Sequence, residues 1–163
     1  AYPFVKRYMS IPQFVLGAAF GWAVPMAFAA QTGSTPELAW LVFGTALIWA
    51  VIYDTFYAMV DREDDRKLGV KSTAILFGEV DLFVIAGLQV LMIVALALIG
   101  QRAELGFWYY ASVVAAAGMM AWHLWLARER EPEGCFRAFL HNHYIGMIVF
   151  IGIVLHYTFN PVG

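Results

Sequence analysis

Long apolar runs separated by short polar connections make up most of the chain. A helix needs about 20 mostly apolar residues to cross a bilayer, because each residue advances the helix by about 1.5 Å. Five runs meet this requirement, at residues 11–30, 38–60, 82–100, 105–127 and 138–159. Residues 1–9 look like the end of an earlier helix. The pattern therefore predicts an all-α, polytopic transmembrane helical bundle of about five spans plus the end of a sixth helix.

Small polar residues and glycine mark where several helices begin or end. Ser34 and Glu37 have the spacing of a capping box, in which each side chain accepts a hydrogen bond from the backbone N–H of the other residue. Gly69 favours a helix end, and residues 72–73 can begin a short helix over 74–77. We expect this short helix to lie at the membrane interface.

The composition is that of a membrane protein. Hydrophobic residues make up 62% of the chain and charged residues 13%, whereas soluble domains contain about 25% charged residues. The length of 163 residues fits one membrane domain, residues 1–163. A single cysteine excludes an internal disulfide. The composition gives no sign of nucleic-acid binding.

Basic residues are distributed unequally between the two sides of the predicted bundle. Of the 10 Lys and Arg residues, nine fall on one side and only Arg102 falls on the other. The nine are Lys6, Arg7, Arg62, Arg66, Lys67, Lys71, Arg128, Arg130 and Arg137. Cytoplasmic loops of membrane proteins carry an excess of Lys and Arg, so the nine-residue side is predicted to face the cytoplasm.

The acidic segment, residues 53–73 (YDTFYAMVDREDDRKLGVKST), begins inside a span and ends on this cytoplasmic side. It contains five carboxylates, which are Asp54, Asp61, Glu63, Asp64 and Asp65. If helix continues from Tyr53 to about Arg66, Asp54, Asp61 and Asp65 share one face. An aspartate within a span is costly, by about 2.5–3.5 kcal/mol on insertion scales. A divalent cation such as Mg²⁺ would offset this cost, since it binds one or two carboxylates together with water and phosphate oxygens.

A simpler interpretation is a solvated acidic loop at the membrane surface. In that case Arg62, Arg66 and Lys67 act as local counter-ions. The helical register with Asp54 and the interleaving of acids and bases favour a site that holds Mg²⁺ and a diphosphate together.

A second basic cluster, Tyr2-x-x-x-Lys6-Arg7, lies near the start of the chain. Tyr2 and Lys6 are four residues apart and would face the same way on a helix. Lysine binds phosphate as a point charge, and arginine can bind a carboxylate or phosphate through two parallel hydrogen bonds. The alternative is a basic anchor at the cytoplasmic surface.

These motifs resemble those of the UbiA family of intramembrane prenyltransferases. The stretch YDTFYAMVDREDDRKLGVKSTAILFG is similar to the second aspartate-rich motif of that family, and YPFVKR resembles its Tyr-x-x-x-Lys element. The stretches YPFVKRYMSIPQFVLGAAFGWAVPMAFAA and CFRAFLHNHYIG are similar to its 4-hydroxybenzoate polyprenyltransferase branch.

The resemblance implies a nine-helix bundle around a central cavity, in the bacterial inner membrane, with its active-site loops in the cytoplasm. This chain would be the C-terminal portion, from the end of the fourth helix to the ninth. The first aspartate-rich motif of the family, Asn-Asp-x-x-Asp-x-x-x-Asp, has no counterpart in the chain. We expect it in an N-terminal half that the sequence does not include.

The resemblance also implies roles for individual residues. The expected Mg²⁺ ligands are Asp61, Asp65 and Asp64. The expected catalytic residues are Asp54, as a candidate base for the ring proton, and Tyr2 and Lys6 near the diphosphate. The expected substrate-binding residues are Tyr2, Lys6, Arg7 and Lys71, with Arg7 binding either the carboxylate of an aromatic acceptor or the diphosphate.

The implied activity is Mg²⁺-dependent transfer of a polyprenyl group from polyprenyl diphosphate to the ring carbon ortho to the hydroxyl of 4-hydroxybenzoate, in ubiquinone synthesis. Expected partners are these two substrates, the lipid bilayer and the N-terminal half, and no nucleic acid. Three alternatives stay open. They are another aromatic acceptor on the same fold, a transporter or channel that uses the intramembrane aspartate, and a truncated chain that is inactive by itself.

Overall fold

The computed structural model describes residues 12–69 and 72–160, which form helices and short connections without any strand. In chain order the helices are α1 Pro12–Gly21, α2 Ala23–Thr32, α3 Glu37–Val60, α4 Arg62–Leu68, α5 Thr73–Phe77, α6 Asp81–Arg102, α7 Phe107–Ala127, α8 Pro132–His141 and α9 His143–Phe159. A 3₁₀ turn, Gly78–Val80, joins α5 to α6. The predicted all-α class is confirmed.

Five stretches of this structure are long and apolar enough to cross a membrane. They are Phe14–Thr32, Glu37–Val60, Thr73–Arg102, Phe107–Ala127 and Pro132–Phe159. The predicted number of spans is therefore confirmed for the described residues. The first and last spans each consist of two consecutive helices, α1 with α2 and α8 with α9.

The first span is interrupted at Trp22 because proline follows three residues later. Pro25 has no N–H to donate, and its ring crowds the carbonyl one turn earlier, so an uninterrupted helix is disfavoured there. The first half of the span packs tightly on α3. A Cβ added at Gly17 would lie 2.8 Å from Ala50 Cβ, and one at Gly21 would lie 3.2 Å from the Phe43 ring. The glycines therefore allow close helix contact.

Helix α3 lies at the centre and packs against helices on several sides. Its Ile52 and Phe56 are buried in one core with Ile85 of α6, Tyr109 of α7 and Ile145 of α9. Helix α3 is thus packed against its neighbours, and its C-terminal part, from Tyr53 to Val60, carries the start of the acidic segment.

The two ends of the bundle carry different charges. At one end, Arg62 and Arg130 pair with Asp81. At the opposite end, Glu37 Oε2 accepts a hydrogen bond from Arg102 Nη1 at 3.0 Å. All described Lys and Arg residues except Arg102 belong to the first end, as the sequence predicts.

One local prediction is wrong. No capping box forms at Ser34, because Pro36 occupies the N-cap of α3 and Glu37 extends to Arg102 instead. In the last span, Asn142 lies between α8 and α9. The buried Asn142 amide accepts a hydrogen bond from Trp49 Nε1 at 3.1 Å and donates one to the Ala138 carbonyl at 3.0 Å.

The short helix near the acidic segment is confirmed. Gly69 ends α4 with φ at 65°, and Ser72 is the N-cap of α5. The Ser72 hydroxyl makes no capping bond, and it is buried without a hydrogen-bond partner among the residues described.

Candidate active site

The helix that carries the acidic residues breaks at Asp61, so the condition of continuous helix to about Arg66, under which Asp54, Asp61 and Asp65 share one face, is not met. Helix α3 ends at Val60, Asp61 has φ −88° and ψ 4°, and α4 begins at Arg62. The Asp61 N–H still bonds the Tyr57 carbonyl at 3.4 Å. Directly after the break, Arg62 pairs with the buried Asp81 on α6, a partner that the sequence pattern does not reveal.

Asp61 and Asp65 lie one helical turn apart across this break. The Asp65 N–H donates to the Asp61 carbonyl at 2.8 Å, so their backbones are directly linked. Both residues are half-buried, whereas Glu63 and Asp64 of the same turn are exposed. The two half-buried carboxylates therefore lie on the side of the acidic segment that is partly shielded from solvent.

Asp54 is also half-buried but lies deeper along α3. Seven residues separate it from Asp61, which is about 10 Å along a helix axis. Ligands of one Mg²⁺ ion each lie about 2 Å from it, so two ligand atoms are at most about 4 Å apart. Asp54 therefore lies about two turns from Asp61, whereas Asp65 lies one turn from it.

The chemistry of Mg²⁺ fits the Asp61–Asp65 pair as part of a site. This ion commonly uses one or two carboxylates and completes its shell with water and substrate phosphate. Within residues 12–69 and 72–160, no group of three or more His, Cys, Asp or Glu residues is arranged to hold a metal ion. The described part of the chain can therefore supply two carboxylates, with further ligands from elsewhere.

Asp64 lies on the exposed side of α4. Its Oδ1 accepts a hydrogen bond from Lys67 Nζ at 3.0 Å, and 78% of its side chain is exposed. This hydrogen bond and the charge of Asp64 raise the pKa of Lys67 above its ordinary value. Asp64 therefore pairs with Lys67 and is more exposed to solvent than Asp61 and Asp65.

An aromatic row lies beside the end of α3 and was not singled out from the sequence. It consists of Trp49, Tyr53, Tyr57 and Phe139. Ring centroids lie 6.1 Å apart for Trp49 and Tyr53, 6.2 Å for Tyr53 and Phe139, and 5.1 Å for Tyr57 and Phe139. The signal in the sequence is the spacing of four residues on α3, which places the first three rings on one face.

Four predicted site residues, Tyr2, Lys6, Arg7 and Lys71, lie outside the described residues. Their predicted roles in diphosphate and acceptor binding stay predictions. The site that the structure describes is therefore the carboxylate half, formed by the end of α3 and by α4.

Sequence comparison extends this picture to nearly the whole chain. The model of the UbiA prenyltransferase family matches residues 1–154. A protein of Saccharophagus degradans named 4-hydroxybenzoate octaprenyltransferase is 55% identical over 154 residues, which are 94% of this chain and 52% of that protein. A protein of Pseudomonas fluorescens with the same name is 55% identical over 159 residues, 98% of this chain and 54% of that protein. The chain thus spans about half the length of these curated relatives.

Two solved structures share the fold. A structure described as digeranylgeranylglyceryl phosphate synthase in membranes matches with a TM-score of 0.77 at 22% identity, over 93% of this chain and 54% of that one. The apo structure of a UbiA homolog from Aeropyrum pernix K1 matches with a TM-score of 0.78 at 21% identity, over 94% of this chain and 58% of that one. Fold, family model and close relatives agree that the chain belongs to the UbiA prenyltransferase family.

Proposed function

We propose that this chain is the C-terminal portion of a membrane-bound aromatic prenyltransferase, a single domain that requires its N-terminal half for activity. The observation that carries the proposal is the half-buried Asp61–Asp65 pair at the break between α3 and α4, in a chain of the UbiA family. The proposed reaction moves a polyprenyl group from polyprenyl diphosphate to 4-hydroxybenzoate. The names of the relatives support these two substrates.

The proposed role of Asp61 and Asp65 is to hold a divalent cation, Mg²⁺, at the diphosphate. Asp64 is proposed to contribute negative charge to the same region. When bound, Mg²⁺ neutralises the diphosphate as it leaves. The partial burial of both carboxylates supports this role, because electrostatic interactions are stronger where water is partly excluded.

Diphosphate binding is assigned to Tyr2 and to the basic residues Lys6, Arg7 and Lys71 only through the family motifs. Tyr2 and Lys6 would bind the leaving diphosphate, with Lys71 beside it. Arg7 suits either the diphosphate or the carboxylate of the acceptor, because guanidinium binds both in a bidentate manner. Cleavage of the allylic C–O bond leaves its electron pair on the diphosphate and positive charge on the prenyl carbon.

The aromatic row is suited to this developing positive charge. Ring faces attract cations by about 0.5–2 kcal/mol, more strongly where water is excluded. Tyr53 and Tyr57 flank Asp54 in sequence, so the row and this carboxylate belong to the same turns of α3. The ring carbon of the acceptor forms the new C–C bond, and Asp54 is the proposed acceptor of the proton that this carbon then releases.

The proposed location is the bacterial inner membrane, with the end of the bundle that carries Asp61 in the cytoplasm. The clustering of basic residues at that end supports this orientation. Glu63→Cys and Glu104→Cys place reporters at exposed positions on opposite ends, while the native Cys135 is buried. Spheroplasts that contain the full-length protein are treated with a membrane-impermeant maleimide, which should label Glu104→Cys alone. Labelling of Glu63→Cys alone would show that the orientation is the opposite of the one proposed.

The activity is tested with membranes that contain the full-length protein. Polyprenyl diphosphate is supplied with 4-hydroxybenzoate, a naphthoate or homogentisate, with Mg²⁺ or with a chelator. The proposal expects a ring-prenylated 4-hydroxybenzoate that forms only with Mg²⁺. Prenylation of a different acceptor alone would keep the reaction class and change the substrate, whereas no transfer to any acceptor would contradict the proposal.

A further inference from the structure

The carboxylate of Asp81 forms the centre of a buried ionic cluster, here called the Asp81 clamp, with Arg62 and Arg130. Asp81 is the first residue of α6 and is fully buried. Its Oδ2 pairs with Arg62 Nη2. Its Oδ1 accepts hydrogen bonds from Arg130 Nε at 3.1 Å and from the Leu82 N–H at 2.6 Å. One carboxylate thus joins the starts of α4 and α6 to the connection between α7 and α8.

The Arg130 backbone is held in an unfavourable conformation at this point. Its φ is 57°, in the left-handed region that residues with a Cβ rarely adopt. Besides Asp81, Arg130 bonds the Glu79 carbonyl through Nη2 at 2.6 Å and the Ala127 carbonyl through its own N–H at 2.9 Å. These contacts fix the connection against the start of α6, while Asp81 is itself buried at that start and accepts the Leu82 N–H.

Arg62 is the only member of the clamp that belongs to the acidic segment. It follows Asp61 directly and lies three residues before Asp65. Its side chain is 16% exposed and points to α6. Helix α4 has only seven residues and is bounded by breaks at Asp61 and Gly69, and Arg62 ties it to α6 through Asp81.

We propose that Asp81 is a positioning residue for the acidic segment: by holding Arg62, it fixes the rotation of α4 and thereby the direction in which Asp61 and Asp65 meet a divalent cation. This inference rests on the proposed function. It adds a residue from α6, 20 positions beyond Asp61, to which the proposed function assigns no contact with the cation or the substrates.

The two arginines of the clamp provide a matched pair of variants. Arg62→Lys and Arg130→Lys each remove one guanidinium from Asp81 and keep the positive charge, but only Arg62 is part of α4. Binding of Mn²⁺, which replaces Mg²⁺ and is paramagnetic, is titrated by electron paramagnetic resonance in the full-length protein with polyprenyl diphosphate and no acceptor. This readout is independent of turnover.

Arg62→Lys should weaken Mn²⁺ binding by about 10-fold, the lower range for residues that orient metal ligands. Arg130→Lys should leave it within about twofold, because Asp81 keeps its pairing with Arg62 and its bond from the Leu82 N–H. Asp81→Asn should weaken it by about 10–100-fold, and Arg62→Gln in the Asp81→Asn background should add little, because the two act as one unit. Prenyl transfer by these variants should recover at high Mg²⁺.

Equal weakening by both lysine variants would overturn the proposal, because the clamp would then act only on general stability. Unchanged Mn²⁺ binding in Arg62→Lys would overturn it as well. Should Asp81→Asn fail to accumulate in membranes, the lysine pair decides the question. If the unsubstituted protein neither binds Mn²⁺ nor transfers a prenyl group, the proposed function itself fails, which is distinct from failure of the clamp.

Discussion

Gly69 ends α4 in a backbone conformation that only glycine adopts without strain, so its replacement is a direct test of the acidic segment. Its φ is 65°, and its N–H bonds the Arg66 carbonyl at 3.3 Å. A Cβ added at Gly69 would meet no heavy atom within 4 Å. Gly69→Ala therefore changes the backbone energy alone, without a steric clash that would complicate the result.

The expected cost follows from two opposing terms. The left-handed backbone conformation costs a residue with a Cβ about 1–2 kcal/mol of conformational energy. Replacing glycine by alanine also lowers the conformational entropy of the unfolded chain, which stabilises the folded state by about 0.4–1 kcal/mol. The difference is about 1 kcal/mol, and local opening of α4 should therefore become about five times more frequent.

Hydrogen exchange measured by mass spectrometry on peptides that cover residues 62–69 reports this opening directly. The amides of α4, including that of Asp65, should exchange about five times faster in Gly69→Ala. Gly87→Ala is the matched control, because Gly87 lies within α6, has no positive φ and offers the same open space. Its exchange over α4 should be unchanged. Equal exchange over α4 in both variants would refute the role of Gly69.

Two further substitutions test how the bundle supports the site. Thr55 and Thr73 share a buried hydrogen bond of 2.9 Å between α3 and α5, so Thr55→Val and Thr73→Val should each lower the free energy of unfolding by about 1–3 kcal/mol. The double variant should lose less than the sum, and full additivity in detergent unfolding would argue against the bond. Gly152→Ala would overlap the side chain of Ser112, and we expect a loss of about 1–3 kcal/mol. Gly118→Ala, which meets open space on α7, should melt at or near the unsubstituted temperature, and equal melting of both variants would contradict the tight α7–α9 contact.

The apolar pattern is sufficient to predict the five spans, since each is a property of about 20 consecutive residues. The charge count also predicts which connections share one end of the bundle. Within residues 12–69 and 72–160, Arg62 and Arg130 meet at Asp81 at that end, whereas Arg102 pairs with Glu37 at the other. Both results depend on composition along the chain and not on particular contacts.

The break at Asp61 and the helix α8 could not be predicted in this way. Each depends on a partner distant in sequence. Arg62 pairs with Asp81 nineteen residues later, and Asn142 bonds Trp49 across 93 residues. The capping-box prediction at Glu37 failed for the same reason, because Arg102 lies 65 residues away. Local spacing predicts local hydrogen bonds, and a tertiary ion pair can replace them.

The central claim is that Asp61 and Asp65, and not the acidic segment in general, hold the divalent cation at the diphosphate. Asp61→Asn, Asp65→Asn and Glu63→Gln each remove one negative charge from the same turn, and Glu63 is exposed. Prenyl transfer by the full-length protein is measured against Mg²⁺ concentration for all three. Both aspartate variants should lose about 100-fold or more in rate at limiting Mg²⁺, since bound metal supplies several kcal/mol, while Glu63→Gln keeps its rate. Equal rates for all three variants would contradict the claim.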